Sequence, residues 1–258
     1  MDAIVTAGGI PKPDEPLYPY TQGGYKAMLD IDGKPMIQWI LDALCGAQTI
    51  ERVIVIGLPA DSDVTCTKSV DYLPNQGEML DNIRGGVNRA LQDNSQPRHV
   101  LLVSSDIPAI LPEMVDWVVN EAMRTDEDVY YNVIPRQAME ARFPNSKRSY
   151  TRLKDVEMCG GDMNIIRSTI VTHNPQIWQR LIDSRKNVFK QAALIGYDTL
   201  LLLMLRMITM DQAARMVTKR LRITGRAIVC PYAEVGMDVD KPHQLEIMRA
   251  FMAQRQTA

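Results

Sequence analysis

The sequence predicts an α/β fold in which a mostly parallel sheet carries helices on both faces. Three observations lead there. Asp2–Thr6, a helical pattern from Pro35 to Gly46 and the apolar run Val53-Ile54-Val55-Ile56 read as strand, helix and strand, a unit whose crossover is expected to be right-handed. Val53–Ile56 and Val100-Leu101-Leu102-Val103 are continuously apolar, as strands buried on both faces are. Two of these strands run into small or acidic residues, Ala7-Gly8-Gly9 and Ser104-Ser105-Asp106, at the carboxyl edge where open α/β sheets bind ligands.

Taken in order, the first strand delivers two glycines, whose amides can approach phosphate oxygens with no Cβ in the way. Gly-Gly after a strand also reads as a plain tight turn. Loop 10–22 holds Pro11, Pro13, Pro16 and Pro19, which predicts neither helix nor central strand; loops this long are often functional or mobile. Lys26 follows Gly9 by 17 positions and can return a fixed positive charge to the same edge. Asp32-Gly33 signals a turn and Pro35 a helix N1 position. Met36, Ile37, Ile40, Leu41 and Leu44 fall at helical spacing. Gly77 opens a second helix through Ile83, Val87 and Ala90, and a glycine loop at a helix start offers free N–H donors. Asn82 also reads as an ordinary cap of that helix. Pro112 to Met123 reads as a helix, Val129 to Pro135 as a strand, and Ala138 to Arg148, with Arg142, Lys147 and Arg148, as a solvated basic loop in preference to a lid over an anionic acceptor. A strand over Tyr150 to Val156 leads to Gly160-Gly161-Asp162-Met163-Asn164. Residues 175–219 look helical and carry the basic cluster Arg185, Lys186 and Lys190. A last strand pair, Ala227–Val229 and Ala233–Gly236, precedes Asp238-Val239-Asp240-Lys241-Pro242 and a final helix.

Bulk composition narrows the function. The 258 residues suit one large domain with an appended piece. With 29 basic and 31 acidic side chains, the chain lacks the basic excess of a dedicated nucleic-acid binder. The longest apolar run, Leu200 to Leu205, is too short to span a bilayer, and the first residues lack a signal-peptide pattern. Cys45, Cys66, Cys159 and Cys230 are scattered, which predicts no disulfide framework or zinc site and a reducing cytoplasm as the setting. Three histidines and no triad pattern point away from side-chain nucleophiles.

The opening strand-Ala-Gly-Gly, a variable loop, then Lys26-Ala27-Met28-Leu29 and Asp32-Gly33-Lys34-Pro35-Met36-Ile37 resembles the MobA-like nucleotidyltransferase superfamily, with its three-layer Rossmann-like fold of the GT-A type. The resemblance extends to Asp106-Ile107-Pro108 and to Asp238-Val239-Asp240 with Pro242 and Leu245. It implies one nucleotidyltransferase domain over 1–258 with a helical insert at 175–219. It implies transfer of a nucleoside monophosphate from an NTP to a phosphorylated or similar small acceptor, releasing pyrophosphate. Lys26 and Asp106 would be catalytic. Ala7, Gly8, Gly9, Lys12, Lys26, Gly77 and Asn82 would bind nucleotide. Mg²⁺ would sit on Asp106 and Asp240, with Asp238 in reserve, and Gly160, Gly161 and Asn164 would face the acceptor. Read from residues alone, Lys12 is also a solvated loop lysine, Asp106 a turn residue, and Asp238 to Pro242 a cap on the last helix. The family's loop arginine is replaced at Lys12, which keeps a non-catalytic nucleotide-binding module open beside a GT-A glycosyltransferase.

Overall fold

The structure is a computed structural model that describes residues 1–93, 96, 98–172 and 196–256. Its strands, in chain order, are β1 Asp2–Thr6, β2 Asp30–Ile31, β3 Lys34–Pro35, β4 Arg52–Ile56, β5 Ser69–Leu73, β6 His99–Ser104, β7 Val129–Pro135, β8 Thr151–Arg152, β9 Glu157–Gly160, β10 Met163–Arg167 and β11 Gly225–Val229. Among the described residues the main sheet runs β5-β4-β1-β6-β10-β7-β9-β8, with β11 on β7, and β2-β3 forms a separate hairpin. The β5-β4-β1-β6 half is parallel; β10, β9 and β8 pair antiparallel, and β11 returns parallel to β7.

Alternation along the strands builds the two layers outside the sheet. Ala3, Val5, Val53, Val55, Leu101 and Val103 point to one face and pack with Ile37, Leu41, Val115, Val118 and Met248 from helices Met36–Gly46, Pro112–Ala122 and Pro242–Gln256. Ile4, Ile54, Ile56 and Val100 point to the other and meet Ile83, Val87 and Ala90 of helix Met79–Gln92. That helix lies close because Gly86 has no side chain: a Cβ there would sit 2.6 Å from Ile4 Cγ2.

Register places the functional edge. Thr6 is level with both Ile56 and Ser104, so the chain leaves β1, β4 and β6 at one height, into Ala7-Gly8, Gly57 and Ser105-Asp106. β1 connects to β4 on one side while β6 lies on the other, and such a reversal opens a crevice.

Several expectations are corrected. Pro35 is not helical; it pairs with Asp30 in the β2-β3 hairpin, and the helix begins at Met36. The hairpin turn at Asp32-Gly33 takes positive φ at both residues (55° and 84°), the turn geometry that suits a two-residue hairpin loop. The Pro-rich loop contains a one-turn helix, Tyr18–Thr21; Pro19 fits because a first-turn N–H has no partner to lose. Ala138 to Arg148 is not a solvated loop: Arg136–Arg142 is a helix, and Met139 and Phe143 are buried. Tyr150 to Val156 shortens to Thr151–Arg152, and Ala233–Gly236 is a 3₁₀ turn, not a strand. The helix start at Ile177, Leu181 and Ile182 and the cluster Arg185, Lys186 and Lys190 lie outside the described residues; helices Tyr197–Met204 and Met210–Leu221 follow. Among the described residues no helix is long and apolar enough to cross a membrane.

The cysteine reading is also corrected. Cys45 and Cys66 are joined by a disulfide across 21 residues, with Cα atoms 6.0 Å apart. It clips the segment after β4 to helix Met36–Gly46, beside the paired hydrogen bonds of the Gln38 amide with the Thr65 backbone (both 2.8 Å). Cys159 and Cys230 are buried free thiols. Replacing Cys45 and Cys66 with Ser is expected to lower stability by about 3 kcal/mol on chain-entropy grounds; urea denaturation of variant and parent checks it.

Candidate active site

Three segments converge on the ammonium of Lys26. A 3₁₀ turn, Lys26–Met28, holds it, and the Lys26 amide donates to the Gly9 carbonyl at 2.8 Å, closing the Pro-rich loop onto the glycine pair. Lys26 Nζ donates to Asp106 Oδ2 at 2.7 Å and also to Asp240 Oδ1. The carboxylates are brought in by backbone stitching: Val239 N–H donates to the Asp106 carbonyl at 2.9 Å, Ser104 N–H to the Asp162 carbonyl at 3.0 Å, and Asp162 N–H to the Val235 carbonyl at 2.8 Å. Ser104 Oγ donates to Asp106 Oδ1 at 2.5 Å. Asp240 N–H is received by Gln244 Oε1 at 3.0 Å, which anchors the segment to the last helix.

The crevice beside this cluster is lined by Thr6, Gly8, Gly9, Lys26, Asn75 and Gly77, with Met79, Asn82 and Ser104 to Asp106 completing it. Ala7 itself is buried and donates to the Ile56 carbonyl at 2.8 Å. Among the described residues the Gly8 and Gly9 amides donate to no protein acceptor, so they remain available to an anion. The two glycines differ: a Cβ on Gly8 would lie 2.9 Å from Asn75 Nδ2 and 3.1 Å from Gly57 Cα, whereas one on Gly9 would meet nothing within 4 Å. Asn82 is buried and works through its neighbours. Its Oδ1 accepts from Gln76 N–H at 2.6 Å and its Nδ2 donates to Asn75 Oδ1 at 3.1 Å, which also accepts from Gly77 N–H at 2.9 Å. Asn82 thus shapes the 75–77 loop that lines the crevice.

Other predicted residues sit differently. Lys12 is exposed, its amide donates to Glu15 Oε2 at 3.0 Å, and it does not line the crevice. Asn164 is occupied within the fold: Oδ1 accepts from Asn132 N–H at 2.9 Å and Nδ2 donates to the Gly161 carbonyl at 2.9 Å. A Cβ on Gly160 would collide with Tyr131 Oη at 2.2 Å, and one on Gly161 would lie 3.0 Å from Ile134 Cδ1, so both glycines accommodate strand β7. Asp238 pairs with Arg148, and its carboxyl lies against that of Asp240. Asp162 and Asn75 were not singled out from sequence, and Arg148 was read only as one of three basic residues in the 138–148 segment. Arg148 lies 90 residues from Asp238, so the basic cluster that holds it gives no sign of this pairing; Asp162 does follow a glycine pair.

Charge is unevenly matched here, with Asp106, Asp162, Asp238 and Asp240 facing Lys26 and Arg148. Burial alone would lower the Lys26 pKa, but Asp106 and Asp240 outweigh it and hold the ammonium above its usual range. Burial would raise Asp240, yet Lys26 holds it below the usual carboxylate range. Burial, then Asp106 and Asp238, push Asp162 up to about 8 against the pull of Arg148, and its Oδ2 is buried without a hydrogen-bond partner. A carboxyl that keeps its proton in the folded state and loses it in the unfolded state makes stability fall as pH rises. Between pH 4 and 8 the native chain is therefore expected to lose stability through Asp162, whose proton is held against Asp106, Asp238 and Asp240. Asp162→Asn should flatten that slope in denaturation midpoints measured across the range; an unchanged slope removes Asp162 from the balance.

An excess of hard oxygen donors fits a divalent cation. Among the described residues no three His, Cys, Asp or Glu side chains are disposed to hold a metal alone, but Mg²⁺ ordinarily takes one or two carboxylates and completes its shell with water and phosphate. Asp106 and Asp240 meet that requirement.

Such a sheet, with glycine amides, a lysine and carboxylates at its switch-point crevice, is the architecture of ligand-binding α/β proteins. The comparison with known families is more particular: residues 20–224 match the MobA-like NTP transferase domain, and the chain belongs to that family. A probable molybdenum cofactor guanylyltransferase of Thermococcus gammatolerans is 27% identical over 99 residues, 38% of this chain and 49% of that protein; the match spans about half the length of that relative. A hypothetical transferase from Thermus thermophilus superposes with a TM-score of 0.82 at 29% identity, covering 95% of this chain and 98% of that one. The structure of CMP:2-keto-3-deoxy-manno-octonic acid synthetase complexed with CTP superposes at 0.55 with 18% identity, over 98% of each chain, a likeness of fold alone.

Proposed function

We propose that the chain is a Mg²⁺-dependent nucleotidyltransferase that moves a nucleoside monophosphate from an NTP to a small acceptor, phosphorylated or similar, and releases pyrophosphate. The observation that carries this reading is the single ammonium of Lys26 held by both Asp106 and Asp240 beside the free Gly8 and Gly9 amides. Family membership supports it.

In this reading the Gly8 and Gly9 amides and Lys26 bind the triphosphate. An acceptor oxygen forms a bond to the α-phosphorus, the bond from that phosphorus to the bridging oxygen breaks, and pyrophosphate leaves with the bridging oxygen. Lys26 keeps its charge throughout and offsets the negative charge on the departing oxygens. Asp106 and Asp240 would hold Mg²⁺, which supplies charge neutralisation and alignment of the phosphates. Asn82 orders the loop of Asn75 to Gly77 against the nucleoside, and the acceptor approaches from the β9-β10 side, by Gly160 and Gly161. Positioning and charge account for such a transfer without a side-chain nucleophile.

The test is incubation with each NTP, Mg²⁺ and a panel of phosphorylated acceptors while pyrophosphate is followed. Pyrophosphate dependent on one acceptor is the expected result. Tight NTP binding with no pyrophosphate for any acceptor would instead mark a binding module, a reading favoured by the position of Lys12 outside the crevice.

A further inference from the structure

A second space opens beside the glycine pair. It holds about 400 Å³ and is lined by Tyr25, Leu58, Pro59, Ala60, Tyr72 and Pro74, at the carboxyl ends of β4 and β5. Three links make it continuous with the crevice at the end of β1. Asn75 lines both spaces, and its Nδ2 donates to the Gly8 carbonyl at 3.4 Å. Tyr25 lines the second space, while the next residue, Lys26, lines the crevice. Gly57 borders the second space with φ at 100°, and a Cβ on it would lie 2.2 Å from Gly8 Cα; glycine there lets the ends of β1 and β4 meet.

The two spaces differ in chemistry. The crevice holds about 250 Å³, and apart from Met79 its lining is glycine, hydroxyl, amide and charged groups. That volume falls short of the range of about 300–1,000 Å³ that small-molecule sites occupy; the two spaces together fall inside it. The second space is walled by leucine, proline and two tyrosine rings, and both rings are half-buried against the core. Among the described residues neither tyrosine hydroxyl has a hydrogen-bond partner in the protein. Apolar walls with a few polar groups are what hold and orient a small organic ligand, and a nucleobase offers flat faces to such walls and a polar edge to such hydroxyls.

We propose that this cavity receives the nucleobase of the NTP, and that Tyr25 and Tyr72 are the residues that recognise it. The inference rests on the transferase reading, which sets the triphosphate on the Gly8 and Gly9 amides and Lys26. The nucleoside then passes Asn75 from the polar crevice to the apolar cavity. Because Tyr25 and Lys26 are consecutive, one short stretch of backbone ties the grip on the base to the grip on the phosphates.

The experiment titrates ATP, GTP, CTP, UTP and inorganic tripolyphosphate, each with Mg²⁺, into the full chain and reads binding by calorimetry. Tyr25→Ala and Tyr72→Ala are each expected to weaken the preferred NTP about tenfold, at the lower end of what stacking a base on an aromatic ring contributes, and to leave tripolyphosphate unchanged. Tyr25→Phe and Tyr72→Phe keep the rings and should narrow the differences among the four NTPs. Ala60 is exposed, so Ala60→Trp fills the cavity from its rim without disturbing the core and serves if a tyrosine variant fails to fold; the same selective loss of NTP binding is expected. Parental NTP affinity in folded Ala60→Trp and in the folded tyrosine variants would overturn the proposal. So would equal weakening of NTP and tripolyphosphate, which would make the tyrosines supports of the phosphate site, or a loss of NTP binding confined to Met79→Ala, which would put the base on the crevice wall. A parent chain that binds neither NTP nor tripolyphosphate fails the transferase reading itself, and this proposal with it.

Discussion

Lys26→Met is expected to lower pyrophosphate release by about a thousandfold, at the upper end of what one preorganised charge contributes to a transition state. The side chain is 18% accessible and is the shared counter-charge of Asp106 and Asp240, so its loss removes the charge proposed to meet the triphosphate and leaves two carboxylates facing each other. Binding of the cation alone should persist or tighten, while kcat falls. Because Asp106 and Asp240 hold the Lys26 pKa above its usual range, the native rate should show no loss from lysine deprotonation up to pH 9. Lys26→Arg is not expected to rescue, since the broader guanidinium cannot occupy the same point between two carboxylates. Initial rates at saturating NTP, with circular dichroism to confirm folding, check the prediction; a variant with more than a tenth of the native rate would remove Lys26 from the chemistry.

Asp106→Ala should be nearly as severe, with a loss of about a hundred- to a thousandfold in kcat and a raised requirement for Mg²⁺. The fold should persist, because the structural duties at this position belong to the backbone: the Asp106 carbonyl receives Val239 N–H and the neighbouring Ser104 amide binds the Asp162 carbonyl. Among the described residues the side chain bonds to Lys26 and Ser104 Oγ. Turnover against Mg²⁺ concentration, measured for parent and variant, distinguishes a lost cation ligand from a lost fold. Retained turnover at the native Mg²⁺ midpoint would sink the metal assignment.

How much of this was legible from sequence depended on the range of the interaction. The β1-helix-β4 unit, the buried runs and the Asp32-Gly33 turn follow from local periodicity and turn chemistry. The errors fall where a longer-range contact overrules the local one. Pro35 looked like a helix start, but pairing with Asp30 drew it into a hairpin. Ala138 to Arg148 looked like solvated loop, but helix Arg136–Arg142 buries Met139 against the core. Cys45 and Cys66 carried no spacing signal, because the segment after β4 had to dock on helix Met36–Gly46 before the thiols could meet.

By itself the sequence determined the fold class, the glycine edge, and which residue types would gather there, since strand ends and turns are set by neighbours a few positions away. Only tertiary structure decided the pairing of charges. Lys26 reaches carboxylates 80 and 214 residues distant, and Arg148 takes Asp238 while Asp240 is left to Lys26. Like-charged residues two apart are equivalent in a string of letters. They become different when a folded backbone turns one toward a buried guanidinium and the other toward an open crevice.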